Sequence, residues 1–232
     1  MTDTTVWPTH ARPKAGFRAR GGSRWALAIY AAAVTLLLAP VLALPQLRAT
    51  YVNEVGFRLA ARARPAVVMV GDSHTDNATP WGGRLGLNPL RVVTIARGGF
   101  MARQMEPLVS DAAHLKPEMI SIEAGTNDVA DRSFDPAASA RDVAHLVDLA
   151  GRTGARVVVT LPPPAQKPDR SARTRQLAEL IAQDVRGKAT VIDLWPALAE
   201  HGVIRPEYTL DGIHLSPAGY AVWEAQLRRA IG

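Results

Sequence analysis

The sequence predicts a three-layer α/β/α sandwich on a five-stranded parallel sheet, preceded by one N-terminal transmembrane helix. Three observations lead there. Five short runs rich in β-branched residues follow Pro65, helical patterns separate them, and an uncharged twenty-residue stretch stands ahead of them all. The 232 residues with 47% hydrophobic content suffice for one domain with a buried core plus an appendage, and not for a second full domain.

Residues 1–24 carry Arg12, Lys14, Arg18, Arg20 and Arg24 against Asp3 alone, with Pro8, Pro13 and Gly21-Gly22 between them, and read as a basic disordered tail. Most of the net charge of +6 therefore lies in the tail, and the remainder shows no basic stripe interleaved with aromatics, so nucleic acid is excluded as a partner. Residues 25–45 read as a transmembrane signal anchor: Trp25 to Leu44 holds no charge and is long enough to cross a bilayer core. Pro40 lies near its far end, and Trp25 and Tyr30 lie toward its basic end, where Trp25 is placed as an interface anchor. A cleaved signal peptide is the alternative, since Val41-Leu42-Ala43 offers small residues at a peptidase spacing and cleavage would make the protein secreted. The length of the apolar run favours retention. Five basic residues precede the span while Arg48, Arg58, Arg62 and Arg64 follow it, a slight bias that puts the folded domain outside, in the cell envelope. Residues 46–65 form a connector in which Leu47, Tyr51, Val55 and Leu59 recur every four positions, as in a short amphipathic helix.

Residues 66–232 form the folded domain. Its strands are Val67 to Val70, Arg91 to Ile95, Met119 to Ile122, Arg156 to Leu161 and Thr190 to Leu194, continuous apolar runs of the kind buried on both faces of a parallel sheet. Helical patterns fall around Met101 to Leu115, Ala137 to Ala150, Ser171 to Val185 and Pro217 to Ile231, which places helices on both faces. Ser216 and Pro217 mark the start of the last helix as N-cap and first helical residue.

Ligands of an open parallel sheet sit at the carboxyl ends of its strands, and the chemically suggestive residues cluster there. Gly71-Asp72-Ser73-His74 follows the first strand, Gly98-Gly99 the second and Gly125-Thr126-Asn127-Asp128 the third, while Asp211-Gly212-Ile213-His214 follows the fifth. A serine, a histidine and a carboxylate three residues before that histidine are the parts of a hydrolytic triad: nucleophile, proton acceptor and the group that orients the acceptor. The glycine amides and Asn127 are candidate donors to a developing oxyanion.

These four blocks, in this order and with these strand contexts, resemble the SGNH/GDSL hydrolase family over residues 66–232. The resemblance implies a flavodoxin-like SGNH hydrolase fold, with Ser73 as nucleophile, His214 as base and Asp211 orienting it. It further implies an oxyanion hole of the Ser73 amide, the Gly99 amide and the Asn127 side chain. Gly99 is preferred over Gly98 by its spacing from Thr94, a position where relatives commonly carry asparagine. His74 is another departure, since relatives often have an apolar residue there; the simpler reading is a surface or supporting residue. An α/β-hydrolase elbow is excluded because Thr75 stands where that motif needs glycine.

Two further residues invite a substrate-binding reading. Arg97, beside the oxyanion glycine, is suited to an acidic group on the substrate, and Trp81 to stacking on a sugar ring. Asp72 reads as the holder of the nucleophile turn and Asp128 as support for its own block, while Asp76 and Asp111 receive no role. There is no cysteine, and His10, His114, His145 and His201 show no ligand spacing with carboxylates, so neither a metal site nor a cofactor is expected.

The reaction expected is acyl transfer from an ester through a serine acyl-enzyme. With water as acceptor the protein is an esterase acting on a small acyl group of an envelope glycan or on a lipid. With a sugar hydroxyl it is an O-acyltransferase modifying an envelope polysaccharide, fed by a membrane-bound acyltransferase partner. A third class is a catalytically idle, membrane-tethered glycan-binding domain. Hydrolysis is preferred, since the family is mostly hydrolytic.

Overall fold

The computed structural model describes residues 64–232. The expected transmembrane segment, the basic tail and nearly all of the connector lie outside the described residues. Among the described residues no helix is long and apolar enough to cross a membrane.

Five parallel strands form one sheet: β1 (Val67–Gly71), β2 (Val92–Ala96), β3 (Met119–Glu123), β4 (Arg156–Thr160) and β5 (Thr190–Ile192), in the order β2-β1-β3-β4-β5. Valine and isoleucine dominate these strands because their branched side chains fill a pleated surface covered on both sides. Alternation then divides the strand residues between two cores. Val68, Val70, Ile120, Ile122, Val157 and Val159 face one layer, while Val67, Met69, Met119, Val158 and Ile192 face the other.

The first layer comprises α3 (Glu106–His114), α4 (Pro136–Gly151) and α5 (Pro168–Asp184), contributing residues such as Val109, Val143, Leu146, Leu177 and Ile181 to the first core. Opposite lie the short α2 (Trp81–Leu85) and α6 (Trp195–Leu198) with the terminal α7 (Pro217–Ile231), where Trp81, Trp223 and Leu227 are fully buried. A third short helix, α1 (Ser73–Asn77), follows β1 directly, and a two-stranded hairpin, β6 (Ala199–Glu200) with β7 (Val203–Ile204), precedes the last motif loop.

The helix ends follow local chemistry. Asp135 accepts from the amides of Ala137 and Ala138 ahead of Pro136, and Ser216 accepts from Gly219, so α4 and α7 start at capped positions with proline in the first turn. Pro168 likewise starts α5 three residues earlier than the apolar pattern suggests. Pro107 lies in the first turn of α3, and the preceding Ala102–Gln104 winds as a 3₁₀ turn, so the pattern from Met101 holds two elements. β5 stops at Ile192 because the Asp193 carboxylate accepts from the Trp195 amide and turns the chain into α6.

Candidate active site

Ser73 opens α1 at the carboxyl end of β1. Asp72 caps that helix: its Oδ1 accepts from the His74 amide at 2.9 Å, which sets the turn and leaves the Ser73 side chain on the outer edge of the sheet. Gly71 makes the turn possible by its lack of a side chain, since a Cβ there would lie 2.1 Å from Thr75 Oγ1 and 2.9 Å from the Glu123 carbonyl.

Across the strand ends, the loop between the hairpin and α7 brings in Asp211 and His214. Ser73 Oγ lies 3.1 Å from His214 Nε2, and His214 Nδ1 lies 2.7 Å from Asp211 Oδ2. The other Asp211 oxygen accepts from the amides of Ile213 at 3.0 Å and His214 at 2.8 Å. These bonds, the one to the His214 ring first, hold the Asp211 carboxyl well below the usual carboxylate range even though it is half exposed. The shift favours the ionised form of Asp211. Thr209 fixes the loop by accepting from the Gly212 amide and donating to the His214 carbonyl.

The blocks after β2 and β3 converge on the same edge. The Arg97 amide donates to the Gly71 carbonyl at 3.0 Å and extends the β1–β2 ladder, so Gly98 lies against Ser73; a Cβ at Gly98 would be 3.6 Å from that of Ser73. Gly99 has a φ of +81°, a left-handed conformation that favours glycine, and faces open space. Among the described residues the amides of Ser73, Gly98 and Gly99 have no main-chain partner. Asn127 does not use its side chain to cap the turn that follows it. Its Nδ2 donates to Asp72 Oδ2 at 3.2 Å and to the Phe100 carbonyl at 3.0 Å, which pins it between the Ser73 turn and the glycine loop. Asp128 has a bracing part: buried, with its pKa raised by that burial, it accepts from the Ala102 amide at 3.0 Å and ties the glycine loop to β3.

One reading from the sequence is corrected, and one is narrowed. Trp81 is 1% exposed and donates to the Thr75 carbonyl, and its ring packs edge-on against Trp223 with centroids 4.9 Å apart. It belongs to the core between α2 and α7 and is not available to stack on a substrate. His74, read as a surface or supporting residue, is the latter and fully buried: its Nε2 lies 3.0 Å from the Ile213 carbonyl, and its own carbonyl accepts from Tyr220 Oη at 2.9 Å. Because a carbonyl can only accept, Nε2 carries the proton. Arg97 is exposed and lies over the Phe100 ring at 5.0 Å, at the rim of the site.

Glu123 is a residue the sequence reading passed over. Fully buried at the end of β3, it lies with its Oε1 4.0 Å from His74 Nδ1, which is also 3.4 Å from Asp72 Oδ1. Burial, then the charge of Asp72, pushes the Glu123 carboxyl well above its ordinary range. Burial opposes ionisation of Asp72 too, but hydrogen bonding and attraction from His74 outweigh it and hold that carboxyl low. The signal was present: a glutamate interrupts the apolar run Met119-Ile120-Ser121-Ile122, which only a buried polar partner makes tolerable. Asp72, His74 and Glu123 each present one ligand-type atom within 4.8 Å of the others. With Asp72 accepting from the His74 amide and Asn127, and burial shifting Glu123 toward its neutral form, the arrangement works as a brace beneath Ser73.

Comparison with known proteins agrees with this architecture. The model of the GDSL-like lipase/acylhydrolase family matches residues 69–222, from within β1 into α7. The chain belongs to that family. Among solved structures, a GDSL-like lipase from Bacteroides thetaiotaomicron VPI-5482 superposes with a TM-score of 0.63 at 22% identity, covering 78% of this chain and 98% of that one. A catalytic mutant of an acetylxylan esterase from Geobacillus stearothermophilus superposes with a TM-score of 0.58 at 17% identity, over 72% of this chain and 93% of its own. A search of curated proteins finds no match. At these identities the structural neighbours establish the fold, and the family match establishes the acylhydrolase class.

Proposed function

We propose that the protein is a serine ester hydrolase that removes a small acyl group from an envelope glycan, working through Ser73, His214 and Asp211. The observation that carries this reading is the unbroken path from Ser73 Oγ through the His214 ring to Asp211, with bonds of 3.1 and 2.7 Å. Ser73 Oγ attacks the ester carbonyl as His214 Nε2 takes its proton; the same proton then goes to the departing alkoxide, and water repeats the sequence to release the acid. Ionised Asp211 keeps a proton on Nδ1, leaving Nε2 free to accept, and stabilises the imidazolium as it forms.

The oxyanion is received by the Ser73 amide, the Gly99 amide and Asn127 Nδ2. The Asn127 bond to Asp72 is the longer of its two, and it is the one an incoming oxyanion exchanges. A small acyl group suits this surface, because Leu210 is the large apolar side chain exposed next to the triad. The acetylxylan esterases that share the fold support a glycan carrier. With residues 25–45 as a membrane anchor, the site works on the outer side of the membrane.

The test is hydrolysis of 4-nitrophenyl acetate by the full chain, with Ser73→Ala beside it and a fluorophosphonate probe to label the serine. Loss of a triad nucleophile lowers kcat by about a thousandfold or more. Equal rates for the two proteins would leave a binding domain as the better reading, and labelling that survives the substitution would place the nucleophile elsewhere.

A further inference from the structure

A cleft of about 650 Å³ lies beside the triad, between the turn after β3 and the start of α5. Its size is in the range of small-ligand sites. Val129 and Ala130, two and three residues after Asn127, form one wall; Lys167, Asp169, Arg170 and Arg173 form the other. Three cations thus face one carboxylate. Among the described residues, none of the three has a carboxylate within 4.0 Å, unlike the ion-paired Arg84, Arg91 and Arg103, though other surface arginines such as Arg97 and Arg141 are also unpaired.

The two arginines are positioned rather than loose. Arg170 donates through Nη2 to the Thr126 carbonyl at 2.9 Å, one residue before Asn127, and the rest of its guanidinium is left for a ligand. Arg173 lies over the Phe134 ring at 4.7 Å and reaches the Asp131 carbonyl at 3.4 Å. Partial burial and the nearby Arg173 depress the Arg170 pKa, a cost that a bound anion would remove. The same chain segment supports the catalytic loop, since the Gln166 amide donates to the Gly212 carbonyl at 2.8 Å. The charge of Arg170 is felt by both Asp211 and Asp72. An anionic group in the cleft and an ester at Ser73 can therefore belong to one molecule.

Resting on the esterase reading above, we infer that this cleft is a subsite for a carboxylate on the substrate, and that the substrate is an O-acylated acidic saccharide. Guanidinium groups bind carboxylates through paired charge-assisted hydrogen bonds. The charged side chains of the cleft call for an anionic ligand, and the saccharide carrier is taken from the esterase reading above. The cleft also explains how a shallow, open triad selects its ester: the remote anion holds the sugar in register while the acyl group meets Ser73.

The experiment compares kcat/KM of the full chain for release of acetate from an O-acetylated methyl glucuronide and from the same compound with its carboxyl group converted to the neutral methyl ester, with 4-nitrophenyl acetate as a probe of the triad alone. The wild type is expected to favour the acid by about tenfold, the scale of one charge-assisted contact, and to lose that preference as salt is raised. The preference should collapse toward unity in Arg170→Gln/Arg173→Gln, whatever happens to the absolute rates. Cleavage of nitrophenyl acetate with no preference between the saccharides, or a preference unchanged in the double variant, overturns the subsite and leaves the esterase reading standing. Preferential cleavage of an anionic lysophospholipid over both saccharides overturns the saccharide assignment. Failure to cleave any of these esters overturns the esterase reading and the subsite with it.

Discussion

Replacing His74 by alanine tests whether the buried brace beneath Ser73 sets the geometry of the proposed triad. The main-chain bonds of residue 74, from its amide to Asp72 and from Tyr220 Oη to its carbonyl, survive the change. What goes is the donor to the Ile213 carbonyl, 3.0 Å away, together with the ring that faces Asp72 and Glu123. A part-buried carbonyl left without its donor costs about 1–3 kcal/mol, and loss of the ring from a fully buried position adds a cavity term of about 1–2 kcal/mol. For a domain of this size the sum lowers Tm by roughly 5–15 °C. Ile213 adjoins His214, so the freed loop no longer holds Nε2 at 3.1 Å from Ser73 Oγ. A misplacement near 1 Å costs about a hundredfold in kcat. The assay is thermal unfolding by circular dichroism together with kcat on 4-nitrophenyl acetate, measured well below the lower Tm so that unfolding does not enter the rate. His74→Gln keeps a donor near the carbonyl and should recover part of kcat. An alanine variant with wild-type kcat and Tm, or a glutamine variant no better than alanine in kcat, would refute the reasoning.

Asp211→Asn keeps an oxygen for the Ile213 and His214 amides but turns an NH₂ toward Nδ1, favouring the wrong tautomer; kcat should fall by about 10³–10⁴ with little change in Tm, and a loss under tenfold would show that Asp211 does not orient the ring. Glu123, raised in the fold above its ordinary value, binds a proton that the unfolded chain has lost. Its contribution to stability is complete below about pH 4.3, declines by at most about 1.4 kcal/mol per pH unit as pH rises, and is gone above the folded value. Glu123→Gln should flatten the fall of Tm between pH 5 and 9, and identical slopes in the two proteins would contradict a buried, protonated carboxyl. Gly71→Ala forces a methyl group into Thr75 Oγ1 and the Glu123 carbonyl, so denaturant unfolding should show a loss of about 1–3 kcal/mol, and unaltered stability would mean the turn yields more easily than its packing implies.

The errors of the sequence reading share one origin. Trp81 follows the nucleophile by eight residues, and nearness along the chain suggested nearness in space; the intervening α1 and turn carry it to the opposite face, into the core with Trp223 and Tyr220. For His74 the sequence leaves surface and support both open, because its side chain must diverge from that of Ser73. It diverges inward, where Glu123 from a different strand awaits it. The short α1, α2 and α6 were not foreseen either, since four or five residues are too few for a helical period to show.

Local chemistry was enough to specify the five strands, the four long helices, the starts of α4 and α7, and the residues bearing hydroxyl, imidazole and carboxylate, because side-chain branching, capping and spacing act over a few neighbouring residues. The meeting of Ser73 with His214 spans 141 positions, and the brace of Asp72, His74 and Glu123 and the unpaired cations of Lys167, Arg170 and Arg173 likewise depend on contacts between distant segments. Strand order and packing alone decide those, because burial and charge pairing are properties of the surroundings a residue acquires and are not carried by the residue itself.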